Sequence, residues 1–238
     1  MEKQRLDKII ASTGKWSRRD VKLLIKQGRV LVDGGPAGSG DEKYDPTQAA
    51  ITVDGEDIGY RRTTWLMMNK PAGYLSATED GRGETVLDLL PQELQRQNLF
   101  PVGRLDKDTE GLLLLTNDGV LAHKLLSPKY HVDKVYYTRV QGRLGEEDCR
   151  AFREGIVLGD GLHCIPAELE ILSAGEISEA HVTLREGKFH QVKRMLASRG
   201  KPVLYLRRIK MGKMTLDPAL ALGKYRFLSE KEIKKLQE

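Results

Sequence analysis

Four consecutive leucines, Leu112–Leu115, run into Thr116 and then Asn117, Asp118 and Gly119. An apolar run this short, closed by turn-forming residues, reads as a buried strand ending in a tight turn. Directly upstream lies Gly-Arg-Leu-Asp-Lys-Asp-Thr-Glu-Gly (103–111), which carries three carboxylates, Asp106, Asp108 and Glu110. These acids therefore sit on a loop pinned to the core at its C-terminal end, and loops held by a rigid scaffold are where catalytic side chains are often carried. An acidic surface loop ahead of an ordinary core strand fits this stretch equally well.

A chain of 238 residues, 39% hydrophobic and 31% charged, suits one or two ordinary domains with a real core. Cys149 and Cys164 are too few for a disulfide framework and have no zinc-ligand spacing, which makes a reducing cytoplasm the expected location. The start, Met-Glu-Lys-Gln-Arg, does not read as a signal peptide. No apolar run exceeds about four residues, so no membrane span is expected.

The net charge of +5 is modest, but its distribution is uneven. Residues 1–30 hold nine Lys/Arg against three acids, and residues 31–60 hold one against seven. Residues 185–213 hold ten against one. Positive charge clustered apart from negative charge is the footprint of a polyanion binder.

The first sixty residues form a self-contained pattern. Leu6, Ile9 and Ile10 share a helical face that Gly14 ends, and Ser17 with Asp20 forms an N-cap for a second helix bearing Val21, Leu24 and Ile25. Gly28 closes it. A strand at 29–33 turns at Gly34-Gly35, and another at 51–53 turns at Asp54-Gly55. Around the second helix, Arg18, Lys22, Lys26 and Arg29 recur on one face, with Arg19 beside them and few acids to pair with, so this face is expected to meet RNA. Arg-Leu-Asp-Lys (5–8), Ser-Arg-Arg (17–19) and Gly-Arg-Val-Leu-Val-Asp-Gly (28–34) resemble an S4 RNA-binding domain. Residues 1–60 are assigned to it as an αα-β hairpin module.

Residues 60–64 read as a polar linker and 65–238 as a larger domain. Strands are expected near 112–116, 135–140, 167–172, 180–184 and 203–210, and helices near 85–90, 119–126, 146–154, 189–198 and 229–237. Clustered strands with interspersed helices and no regular βαβ spacing indicate an α+β fold.

The glycine-rich run at 35–40 lacks the Lys-Ser/Thr of a phosphate loop and reads as a hairpin loop. No metal-ligand spacing is present and no cofactor is expected. What remains is the carboxylate loop, the pair Tyr136 and Tyr137, which face opposite sides of a strand, and the basic segment Arg185–Leu196. Lys193 and Arg194 point about 100° apart around a helix, so at most one can sit squarely against a given partner. A cation beside an aspartate in a closed site favours its ionised form.

Gly-Arg-Leu-Asp (103–106) with Thr109 and Gly111, Lys134-x-Tyr136, and Gly-Lys-Phe-His-Gln-Val-Lys-Arg-Met (187–195) together resemble the RsuA-type pseudouridine synthases. So do the lead-in Asn-Lys-Pro-x-Gly (69–73) and the closing Gly-Lys-Tyr-Arg (223–226). The resemblance implies a catalytic domain with a mixed, mainly antiparallel sheet flanked by helices. It implies that Asp106 attacks or deprotonates the ribose of a uridine, that Arg104 attends the flipped nucleotide, that Tyr136 stacks on the base, and that Lys193 pairs with Asp106, with Arg194 as the substitute. It also places Arg194, Leu206, His190 and Gln191 at the RNA, and leaves Asp108 and Glu110 as bystanders. Thr138 stands where these enzymes have valine, which keeps Tyr137 open as an alternative to Tyr136.

The His-Gln-Val-Lys wording resembles the small-subunit branch, so the expected substrate is 16S ribosomal RNA in an assembling subunit, met by a cytoplasmic monomer without a metal. The alternatives are the same chemistry on 23S rRNA and a non-catalytic S4-type assembly protein.

Overall fold

In the computed structural model, which describes residues 3–61, 63–81 and 83–238, the leucine run lies within the strand Glu110–Thr116. This strand runs antiparallel to Trp65–Lys70 and parallel to Val203–Met211. All four leucines are fully buried, since the strand has neighbours on both edges and apolar cover on both faces.

Across the sheet the order is Glu168–Ser173, Ile177–Leu184, Lys134–Gln141, Val203–Met211, Glu110–Thr116, Trp65–Lys70 and Tyr225–Phe227. Short strands at 214–215 and 100–101 complete it. Among the described residues, every pairing between strands of this sheet but one is antiparallel. Helices Gly119–Leu126, Glu146–Glu154, Gln191–Ser198 and Glu230–Gln237 accompany it, giving an α+β domain with a mixed, mainly antiparallel sheet. Trp65, Met67, Leu112 and Leu114 pack with Leu121, Leu125 and Met211 in its core.

The tight turn expected at Asn117–Gly119 is a helix start instead. The Asp118 carboxylate accepts a bond from the Leu121 amide and caps Gly119–Leu126. The helix expected at 85–90 is a turn. There the Asp88 carboxylate accepts from both the amide and the hydroxyl of Thr85, while the Leu87 amide donates to that same hydroxyl. Such local side-chain bonds compete with the helical ladder.

The chain divides into two compact units, one comprising residues up to Thr64 together with Leu90–Leu99, the other Trp65–Leu89 with Phe100–Glu238. The expected linker at 60–64 includes Arg62, outside the described residues. Thr64 is buried, and its hydroxyl donates to Gln97 at 2.7 Å. The Gln97 amide in turn donates to the Thr13 carbonyl at 2.8 Å, which ties the one-turn helix Gln92–Gln95 region into the first unit.

Within that unit, helices Leu6–Ala11 and Arg18–Lys26 bury Leu6, Ile9, Ile10, Val21, Leu24 and Ile25 against Val30, Val32, Ile51 and Val53. Ser17 and Asp20 form the expected reciprocal cap. Both hairpin turns are Asp-Gly, at Asp33-Gly34 and Asp54-Gly55, with positive φ at both residues. The first lies one residue earlier than the expected Gly34-Gly35. Among the described residues no helix is long and apolar enough to cross a membrane.

Candidate active site

The loop before the leucine strand is fastened along its backbone. The Ser76 hydroxyl donates to the Leu105 carbonyl and accepts from the Leu105 amide, at 3.0 and 3.1 Å. The Gly73 amide donates to the Lys107 carbonyl at 2.8 Å, and the Thr109 amide to the Asp106 carbonyl at 3.0 Å. Beneath the loop lies Lys70, fully buried at the end of its strand. Its ammonium donates to four carbonyls, those of Pro71 and Thr109 at 2.9 Å and of Asp106 and Lys107 at 3.2 Å. Burial lowers the pKa of Lys70 to about 8, against the pull of Asp108, Asp106 and Glu110. The sequence lead-in Asn-Lys-Pro marks this lysine only as the end of a strand.

Above the loop, the Lys193 ammonium sits 3.0 Å from one Asp106 carboxylate oxygen and 2.5 Å from Asp108. Asp106 and Lys193 have side chains about a quarter exposed, and Asp108 is three-quarters exposed. Burial pulls the Lys193 pKa down, but its hydrogen bonds to Asp108 and Asp106 outweigh that and raise it. The bond from Lys193 likewise lowers Asp108. His190 brings Nε2 to 3.7 Å from the other Asp106 oxygen.

Arg194 points elsewhere and meets Asp160 at 2.5 Å. A rotation of about 100° around the helix thus sends the two adjacent cations to different partners, and Lys193 is the one that reaches Asp106. Asp108 shares Lys193 with Asp106 and so belongs to the same ion-pair cluster. Glu110 accepts a bond from the Tyr205 hydroxyl at 2.7 Å, and burial followed by that bond drives Tyr205 up to about 12.

Asp106 opens onto a cleft lined by Arg104, Tyr136, Leu184, His190, Val192 and Leu206. Strand alternation decides between the tyrosines: Lys134, Tyr136, Thr138 and Val140 are buried, whereas Tyr137 lies on the other face, edge-on to His181 and Tyr205. Arg104 is exposed at the cleft and has no salt bridge among the described residues. Gln191 lines the cleft, but its amide is engaged at both ends, donating to Glu186 and accepting from the Lys188 amide. It braces the loop before its helix. The buried Thr109 hydroxyl also lines the cleft and has no hydrogen-bond partner among the described residues.

On the helix expected to meet RNA, Arg18 is already engaged. Its guanidinium donates to both oxygens of Asp7, a fully buried carboxylate that Arg5 also grips. Arg29 pairs with Asp54. Arg19, Lys22 and Lys26 are exposed and have no salt bridge among the described residues. Among the described residues no group of three or more His, Cys, Asp or Glu could hold a metal ion.

A carboxylate paired with an ammonium at the edge of a slot walled by a tyrosine and leucines suits a planar base with its sugar at the acid. The family model for RNA pseudouridylate synthase matches residues 64–198, which contain the loop, the tyrosine strand and Lys193, and the model for the S4 domain matches residues 4–47. The chain belongs to the RNA pseudouridylate synthase family: it is an isomerase acting on RNA, with an S4 RNA-binding domain ahead of its catalytic region. It is 49% identical over 98% of both chains to the uncharacterized RNA pseudouridine synthase YtzG of Bacillus subtilis (strain 168). To the ribosomal small subunit pseudouridine synthase A of Vibrio cholerae it is 38% identical, covering 96% of this chain and 97% of the other. A crystal structure of a pseudouridylate synthase, 36% identical, superposes with a TM-score of 0.68 over 98% of this chain and 99% of that one.

Proposed function

We propose that this chain converts one uridine of 16S ribosomal RNA to pseudouridine, with Asp106 as the group that attacks or deprotonates the ribose. The observation that carries the reading is the Asp106–Lys193 pair, 3.0 Å apart, opening onto a cleft walled by Tyr136 and Leu206. The uridine leaves its stack and enters the cleft, because no side chain reaches the sugar of a stacked nucleotide. Tyr136 holds the base from one side and Arg104 its backbone. The bond from C1′ to N1 breaks, the uracil turns, and C1′ bonds to C5. N1 ends protonated and C5 gives up its hydrogen, so atoms balance without a second substrate.

Small-subunit RNA is favoured over large-subunit RNA by the name of the Vibrio relative, whose length this chain spans almost entirely. Residues 1–60, with Arg19, Lys22 and Lys26 exposed, supply phosphate attraction, and residues 65–238 supply the chemistry. The protein acts as a cytoplasmic monomer on an assembling subunit.

Asp106→Asn should retain RNA binding and form no pseudouridine, measured by filter binding and by base-resolution mapping of rRNA from cells carrying the variant. Full activity in that variant would sink the mechanism. Mapping with and without the gene identifies the subunit, and a lost position in 23S rRNA would refute the substrate.

A further inference from the structure

Phe189 is 74% exposed, far more than the other three phenylalanines. Single exposed apolar residues are ordinary on protein surfaces, so exposure alone means little. Its surroundings are not ordinary. One face of its ring stacks on His190, with centroids 3.8 Å apart and planes 17° from parallel. That imidazole approaches the Asp106 carboxylate at 3.7 Å. His190 takes φ +47°, a left-handed backbone that non-glycine residues seldom adopt, directly before its helix. The strained turn sets two flat rings in register at the rim of the cleft.

The space in front of them is a second lobe, lined by Leu75, Ser76, Ala77, Asp80, Lys107 and Phe189. It shares Arg104, Leu105, Asp106, Gly187, Lys188 and His190 with the lobe that holds Tyr136. Two adjoining lobes, each with an aromatic ring and with Arg104 common to both, offer places for two successive nucleotides of a single strand. Such strands are held by bases stacked on aromatic faces and by cations along the phosphates.

We propose that Phe189, backed by His190, is the stacking platform for the nucleobase next to the isomerised uridine, with Arg104 and Lys107 on the intervening phosphate. This rests on the reading of Asp106 and its cleft given above. The base extends the stack from the free face of Phe189 and so holds the strand open beside the flipped uridine. A π-face accepts any base, so the platform sets register and affinity and leaves sequence choice to other contacts.

The test compares Phe189→Ala, Phe189→Leu and Phe189→Tyr with wild type on 16S rRNA isolated from cells lacking the gene. Ala and Leu should raise KM about tenfold while kcat stays within about twofold, and Tyr should restore KM. All three should melt with the wild-type protein, because the side chain lies at the surface. A Leu variant with wild-type KM would overturn the proposal. A second measurement uses a pentaribonucleotide with a central uridine flanked by 2-aminopurine, bound to the Asp106→Asn protein. Its fluorescence should be quenched on binding, and adding Phe189→Leu should abolish the quench. An equal quench in both would overturn the platform. A wild-type chain forming no pseudouridine in any rRNA would instead overturn the functional reading, and the fluorescence would still decide the platform.

Discussion

Asp106 meets two ammonium groups by two routes: Lys193 at its carboxylate and Lys70 at its backbone carbonyl. The first sets charge, the second sets position, since Lys70 also holds the carbonyls of Lys107 and Thr109. Lys70→Met leaves four buried carbonyls short of a donor and should cost about 3 kcal/mol in urea unfolding, with pseudouridine formation falling further than stability explains.

The pH dependence separates the two effects. Lys70 has a pKa of about 8 in the fold and an ordinary value of 10.5 once exposed. Between these values the unfolded chain binds more protons than the native one, so this group's contribution to stability grows as pH rises and is lost as pH falls through about 8. Deprotonation nonetheless removes one of three N–H donors from the carbonyl cage. Activity should therefore decline above pH 8 while the melting temperature shows no matching loss. Parallel rate and melting profiles check it, and a flat rate profile to pH 10 contradicts it.

Asp106, Tyr136 and Lys193 stand out in the sequence because each lies in a spaced signature, and the fold brings Asp106 to both of the others. Lys70 does not, because its partners come from the 106–109 segment, distant in sequence, and only the fold brings them over it. The partner of Arg18 was hidden for the same reason: Asp7 lies on the preceding helix, so a repeat of charge along one helix could not show it.

Between strands, the parallel pairing of Glu110–Thr116 with Val203–Met211 depends on Gly111. Its φ is +101°, and a Cβ there would lie 2.2 Å from the Arg208 carbonyl oxygen and 2.9 Å from the Arg208 amide nitrogen. Backbone cannot yield as a flexible side chain can. Gly111→Ala should cost more than about 3 kcal/mol, read by urea denaturation, and should loosen the Asp106 loop that enters the strand at this point. A variant of wild-type stability would show that the strands can part without penalty. The strand itself was legible from four leucines, and most helices from their apolar spacing and caps. Residues 85–90 failed because Thr85 and Asp88 close a turn through their side chains, which no apolar periodicity records.

Over the whole molecule, charge is divided differently from the way the sequence suggests. Most cations of the basic stretch 185–213 are engaged in intramolecular pairs, several of them at the surface. Arg185 pairs with Asp133, Lys188 with Glu186, Lys193 with Asp106, Arg194 with Asp160, Arg199 with Asp148 and Lys213 with Glu238. Arg208 is buried and donates to the Leu112 carbonyl. Sequence counting cannot show this, because every acid but Glu186 comes from outside the stretch. Phosphate attraction then falls more heavily on Arg19, Lys22 and Lys26, exposed on one helix and without salt bridges among the described residues. Deleting residues 1–60 is a poor test of this, since Leu90–Leu99 belongs with that unit and would lose its partners. Replacing the three cations with glutamine removes charge and leaves the core of Leu6, Ile9 and Val21 intact. Each phosphate contact to a single strand contributes about 0.7 to the slope of log affinity against log salt. The triple variant should thus flatten that slope by about 2, weaken RNA binding most at low salt, and melt with the wild-type protein. Equal slopes would place the RNA on other cations, with Arg104 and Lys107 at the cleft the next to examine.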